Sequence, residues 1–179
     1  YVDAIAAAKA VEANASATQA AVDDATAALG VARAGLVPIA KVSGTIALQG
    51  RTSGRLGGVT VTLTPMTGDS IVVTTADDGT FAFTGLLYGD YKLTVHRPGY
   101  LGYEKTVLTV GGDLVLSTVT LKGGDINQDG QVTSTDLSTL LSSYMRATSD
   151  PVDVNGDGQV TSTDLGILLS NYMARKTVE

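Results

Sequence analysis

The chain has 179 residues, no cysteine, one histidine and a formal net charge of −6. These values exclude disulfides and thiol catalysis. They also argue against nucleic acid, since no basic patch exists to neutralise phosphates, and no run approaches the roughly 18–20 apolar residues of a membrane span. The chain opens on Tyr1 with neither methionine nor signal peptide, so it is expected to be a piece of a longer protein.

Residues 1–37 are alanine-rich and read as a helical hairpin. Val2, Ile5, Ala8 and Ala10 lead to a break at Glu12–Ser16, and a second helix is predicted from Gln19 to Leu36. Ser16 or Thr18 serves as N-cap, with Gln19 placed to complete a capping box from Ser16. Val22, Leu29 and Leu36, with Ala25 and Ala32 between, mark a narrow apolar stripe. Side chains this small bury too little area for the pair to be stable alone. The pattern A-x-A-T-Q-A-x-V-D-x-A-x-x-A-L is similar to the end of FIVAR-type helical modules of secreted bacterial proteins. A plain helical spacer is the other reading.

Val37-Pro38 ends the helices, and the apolar period changes from 3.6 to 2. Seven short strands are predicted within residues 38–122: Val42–Leu48, Val59–Leu63, Ile71–Thr75, Thr80–Thr84, Asp90–His96, Glu104–Val110 and Leu114–Leu121. They are β-branched and aromatic, and Gly- and Asp-rich turns separate them. Seven strands at roughly ten-residue spacing predict an antiparallel β-sandwich. Its expected core is Phe81, Phe83, Leu86, Tyr91, Leu93 and Val95. The run T-A-D-D-G-T-F-A-F-T-G-L-L-Y-G-D-Y-K-L-T-V-H-R-P-G-Y resembles carboxypeptidase regulatory-like and collagen-adhesin B-type (prealbumin-like) repeats.

No reaction is legible in this segment. A triad would rest on His96 alone, no serine lies in a G-x-S-x-G elbow, and zinc would find few ligands. Some adhesin domains carry a Lys–Asn isopeptide, but no asparagine falls within the sandwich; Lys41, Glu104 and Asp113 would be needed for a variant. Tyr88, Tyr100 and Tyr103 cluster near loops, as a sugar-stacking platform would require, or else pack the core and corners. The chain is read as non-catalytic.

Residues 123–176 carry the strongest motif. D-I-N-Q-D-G-Q-V-T-S-T-D from Asp125 and D-V-N-G-D-G-Q-V-T-S-T-D from Asp153 start 28 residues apart, and Asp125–Met145 shares 16 of 21 residues with Asp153–Met173. Oxygen side chains stand at positions 1, 3, 5 and 12, with glycine at 6, the spacing of a twelve-residue calcium loop. The predicted ligands are Asp125, Asn127, Asp129, the Gln131 carbonyl and Asp136, and then Asp153, Asn155, Asp157, the Gln159 carbonyl and Asp164. Thr133 and Thr161 would act through water, and two Ca2+ are expected. Three carboxylates in one small loop repel one another unless a cation neutralises them, and nothing basic lies inside either loop.

One amphipathic helix follows each loop, with Leu137, Leu140, Leu141 and Tyr144 repeated as Leu165, Leu168, Leu169 and Tyr172. No comparable helix enters either loop, because Val115–Lys122 reads as strand and Ala147–Val152 as a connector holding Pro151. Loop-then-helix differs from the helix–loop–helix of a calcium sensor.

This C-terminal duplication resembles a dockerin, the calcium-dependent docking module of bacterial multi-enzyme complexes such as cellulosomes. The resemblance implies a cohesin partner on a scaffold or cell-surface protein, an extracellular location, and an upstream enzyme or adhesin in the parent chain. By the same resemblance, Ser134, Thr135, Leu137, Leu141 and Ser142, with Ser162, Thr163, Leu165, Leu169 and Ser170, would contact the partner. The basic pair that many cellulosomal dockerins carry there is missing. Two near-identical halves imply two binding orientations related by a half-turn. A calcium-stabilised stalk and a carbohydrate- or surface-binding module are the competing readings.

Overall fold

Alanine gives high helix propensity but little to bury, and residues 1–38 show both consequences. In the computed structural model, which describes residues 1–148 and 151–179, they form a unit separate from Ile39–Glu179. Helices α1 (Val2–Glu12) and α2 (Gln19–Ala34) make it up. Thr18 is the N-cap of α2 and accepts from the Ala21 amide at 3.3 Å. The capping box expected from Ser16 does not form, because Ser16 bonds Asn14 and Gln19 reaches Asp23. The apolar stripe also differs from the expected one. Ala21, Ala25, Leu29 and Ala32 are half-buried, whereas Val22 and Leu36 are exposed. One position along a helix is a rotation of about 100°, enough to turn Val22 off the inner face.

The second unit begins with β1 (Ile39–Leu48), in which Ala40, Val42, Gly44, Ile46 and Leu48 alternate inward. Next come β2 (Thr60–Pro65), β3 (Ile71–Thr74), β4 (Thr80–Leu87), β5 (Gly89–His96), β6 (Tyr103–Val110), β7 (Leu114–Val115) and β8 (Val119–Leu121). One sheet runs β4-β1-β7, with β8 also on β1; the other runs β3-β2-β5-β6 and then β9 (Thr177–Val178). Registers such as Val61 opposite Val95 and Leu63 opposite Leu93 send apolar pairs into the space between the sheets. All six residues expected in the core are buried there. Gly44 makes room for Phe81, whose ring would lie 3.0 Å from a Cβ at that position.

The sandwich is therefore not the seven-stranded antiparallel one that the spacing predicts. Among the described residues the strands number nine, and β7, β8 and β9 all pair in parallel. The expected strand Leu114–Leu121 is two short pieces. After Gly111-Gly112 the chain changes sheets and runs along β1 rather than back along β6, so no hairpin imposes an antiparallel neighbour.

The C-terminal repeats supply α3 (Ser134–Ser142) and α4 (Ser162–Ser170). The connector expected at 147–152 lies partly outside the described residues, at 149 and 150. Leu101 from the sandwich joins Ile126, Val132, Leu140, Val152, Val160 and Leu168 in a second core, while Val154 is buried in the first. Each core thus contains a residue from the other segment. The helix stripe splits: Leu140 and Leu168 are fully buried, Leu137, Tyr144 and Leu165 pack partly, and Leu141 and Leu169 are each 50% exposed.

Candidate functional site

Each acidic loop closes on its own main chain. In the first, Asp125 accepts from the amides of Asp129 and Gly130, both at 3.1 Å. Asp129 accepts from the Gln131 amide at 2.9 Å and from the Asn127 side chain at 2.8 Å. Asp136 accepts from Ile126 and Asn127 through one oxygen and from Thr133 through the other. The second loop repeats this with Asp153, Asn155, Asp157 and Asp164. Gly130 and Gly158 take φ of +85° and +95°, a region open to glycine at little cost.

The position-12 aspartates have a second role. Thr133 and Thr161 are helix N-caps that accept from Thr135 and Thr163, and Asp136 and Asp164 return bonds to the cap amides. One carboxylate in each repeat thereby joins loop to helix, and the threonines expected to act through water hold helix caps.

Four loop carboxylates, those of Asp125, Asp136, Asp153 and Asp164, are 4% exposed or less. Burial pushes the Asp125 carboxyl up; the Gly130 amide opposes this, and the charges of Asp136 and Asp129 add to it. Such a group favours a proton or another cation beside it. The Asn155 amide, then the Gln159 N–H, hold Asp157 below its usual range, with the charge of Arg55 adding to the effect. Among the described residues no three His, Cys, Asp or Glu side chains cluster tightly enough to hold an ion alone. A complete ligand set must therefore draw on the asparagine and on the Gln131 and Gln159 carbonyls. Every donor is then oxygen, which suits a hard cation such as calcium.

The repeats embrace through their position-8 valines. Val132 bonds Ala174 and Met173, and Val160 bonds Arg146 and Met145, a near-symmetric exchange across the pair. Of the predicted partner residues, Ser134, Thr135, Leu141 and Ser142 are exposed in the first repeat, and Ser162, Thr163, Leu169 and Ser170 in the second. Leu137 and Leu165 are half-buried against the second core.

The repeats differ at five positions, and four of these are where the second repeat meets the sandwich. Val154, opposite Ile126 in the first repeat, is fully buried in the sandwich core, and its carbonyl accepts from the Tyr100 hydroxyl and from Arg51. Gly156 stands where the first loop has Gln128, and a Cβ there would lie 2.9 Å from the Arg51 Cζ. Ile167, in place of Thr139, packs on the sandwich core, against Gly50 and Gly123. Asn171, in place of Ser143, donates to Gln49 and to the Gly123 carbonyl. The fifth, Gly166, is exposed.

Sequence reading missed Gln49, Arg51 and Arg55, which lie in a loop read only as a turn. The signal was available in the differences between the repeats. Tyr100 also departs from the sugar-platform reading: it is 1% exposed, with its hydroxyl engaged on the second loop. Asp113 accepts from the Lys41 main-chain amide, and Glu104 pairs with Lys92 and Lys176.

Residues 41–122 match the carboxypeptidase regulatory-like domain family, and residues 123–174 match the dockerin type I domain family. Both are families of non-catalytic modules. No curated protein matches the chain. Among solved structures it is similar to a C-terminal interface mutant of a type II cohesin–X-dockerin complex from Acetivibrio cellulolyticus. The TM-score is 0.68 at 22% identity, over 76% of this chain and 97% of that one. It is likewise similar to the N-terminal interface mutant of that complex, with TM-score 0.66 at 24% identity over the same shares. At these identities the likeness is one of fold. Residues 1–40 lie outside both family matches. Among the described residues no helix is long and apolar enough to cross a membrane.

Proposed function

We propose that residues 123–176 are a calcium-dependent docking module that anchors an upstream enzyme or adhesin to a cohesin on an extracellular scaffold or cell surface. The observation that carries this is the tandem pair of oxygen-only loops. Each is capped into a helix that exposes the same Ser-Thr and Leu-Ser pairs in both copies, within a segment that matches the dockerin type I family. Asp125, Asn127, Asp129, the Gln131 carbonyl and Asp136 would hold one calcium ion, and Asp153, Asn155, Asp157, the Gln159 carbonyl and Asp164 the other. The ions supply charge neutralisation; the side chains hold each loop against its helix, so binding the metal and ordering the helix pair are linked.

The partner would meet Ser134-Thr135 with Leu141-Ser142, or Ser162-Thr163 with Leu169-Ser170. Two orientations are supported because the predicted contact residues, Ser134-Thr135 with Leu141-Ser142 and Ser162-Thr163 with Leu169-Ser170, are identical and exposed in both repeats, while four of the five differing positions meet the sandwich in the second repeat. The test is retention of the whole chain on immobilised cohesins, with calcium and with a chelator. Calcium-dependent retention is expected. Calcium binding without retention by any cohesin would favour the stalk reading instead.

A further inference from the structure

We infer that the two calcium loops are inequivalent: Arg51 and Arg55 hold the second in its folded form before any ion binds, while the first depends on the ion for its order. The inference rests on the calcium reading above and extends it to the metal-free state.

The geometry is specific to the second loop. Arg51 Nη2 donates to the Asp153 carbonyl at 3.1 Å and its Nε to that of Val154 at 3.0 Å; Arg55 Nη1 donates to that of Gly156 at 2.6 Å. Three of the first four carbonyls of the loop thus accept from guanidinium groups, which carry charge at every accessible pH. Charge-assisted bonds of this kind are roughly twice as strong as neutral ones. They also bring the charge of Arg55 beside the Asp157 carboxylate and that of Arg51 against the Asp153 main chain, offsetting part of the repulsion that otherwise opens an acidic loop.

The arginines are themselves held. Tyr100 lies beneath Arg51 with its ring centroid 5.8 Å from Cζ, and its one hydroxyl proton is shared between the Val154 carbonyl and the Gln49 carbonyl, the latter at 3.2 Å. Gly54 and Leu56 bond the Asp77 carbonyl, and the buried Thr75 hydroxyl donates to Leu56 at 2.7 Å. The loop from Gln49 to Gly58 is therefore an ordered strap.

The sequence carries an independent trace of the same arrangement. Both loops turn through positive φ at position 4, at +62° for Gln128 and +73° for Gly156. A side chain is evidently compatible with that backbone, so conformation alone does not call for glycine in the second loop. Space does, because the Arg51 guanidinium occupies the place of a side chain there. Both loops receive a main-chain contact at position 6: in the second, beside the arginines, Thr148 donates to the Gly158 carbonyl at 3.3 Å, and in the first Lys176 donates to the Gly130 carbonyl at 2.9 Å. That contact belongs to a tail whose Thr177 and Val178 are exposed, the kind of element that opens at low cost.

The test is amide hydrogen exchange by NMR on the whole chain, with calcium and with a chelator. It reads the Gly130 and Gly158 amides, which donate to Asp125 and Asp153. Without calcium, Gly158 is expected to keep its dispersed shift and protection, while Gly130 loses both. Replacing Arg51 and Arg55 together by methionine should lower the chelator-state protection of Gly158 about tenfold or more, and calcium should restore it. Gly156→Gln, which copies the first loop and displaces Arg51, should act the same way, and sandwich resonances report whether either variant folds. Loss at both glycines together in the unmodified chain, or no effect of these substitutions in a folded variant, overturns the inference alone. Indifference of both glycines to calcium overturns the calcium reading, and this inference with it.

Discussion

The side-chain amide of Asn171 donates to Gln49 Oε1 at 2.6 Å and to the Gly123 carbonyl at 2.7 Å, tying the end of α4 to the sandwich and to the chain entering the first loop. Gln49 Oε1 also accepts from the Gly123 amide at 3.2 Å. Asn171 is therefore the centre of a small buried polar network, in which removing one member leaves the others unsatisfied.

Asn171→Ser, which copies Ser143, is expected to cost about 1–3 kcal/mol. That lowers the melting temperature of the Ile39–Glu179 unit by several degrees, roughly 3–9 °C. The reciprocal Ser143→Asn should be within about 0.5 kcal/mol of neutral, since it adds no partner. Calorimetric melting of both variants in calcium checks the contrast.

Asp136→Asn and Asp164→Asn each remove a charge that serves both loop and helix cap. Each should reduce calcium stoichiometry from two to one by isothermal titration. Each should also destabilise its helix by about 1 kcal/mol even in chelator, through the weakened cap. A variant that loses the ion but melts unchanged in chelator would separate the two roles.

Dual orientation is tested by changing Ser134-Thr135 alone, Ser162-Thr163 alone, and both, to bulky charged residues. Each single change should leave cohesin affinity within about twofold, the statistical cost of losing one of two equal modes (RT ln 2, or about 0.4 kcal/mol). The combined change should abolish binding. Loss of binding with either single change would make the interaction one-sided.

Acid should release the tail strand. Glu179 is held below the usual carboxylate range by the Tyr103 hydroxyl first and then by Lys105, and Glu104 by Lys92 and then Lys176. A depressed carboxyl contributes stability above its ordinary value of 4.5, and this is lost as pH falls through the lower folded value. Protection of the Thr106 and Glu179 amides, which pair β6 with the tail, should fall between about pH 5 and pH 3. The sandwich amides of β2 and β5 should keep theirs.

The loops were legible because Asp, Asn and Gly recur at the fixed spacings that close a twelve-residue loop on its own amides, and Asp125 to Asp136 carry them in register. The core was legible because a period of two has a single inward face, on which Phe81, Phe83, Leu93 and Val95 all fall. The parallel pairings of β7, β8 and β9 were not, since a short apolar run does not disclose which neighbour it will join. In α2, alanines stand on both sides of the stripe, so nothing bulky fixed the rotation and Val22 was misplaced. The residues that make the sandwich contact were hidden for another reason: they are Val154, Gly156, Ile167 and Asn171, where the copies disagree, while the motif drew attention to where they agree.

If the repeats dock as proposed, the strap contacts also determine where a pull on the partner would be carried. Tension on α3 or α4 reaches the sandwich through Gln49–Asn171, Arg51–Val154 and Arg55–Gly156 side by side, with Ile167 seated against Gly50. The two glycines at 123 and 124 alone would form a swivel. With these ties loaded in parallel, the joint between sandwich and loops acts as a bracket, transmitting force and torque together, and separation requires several bonds to fail at once.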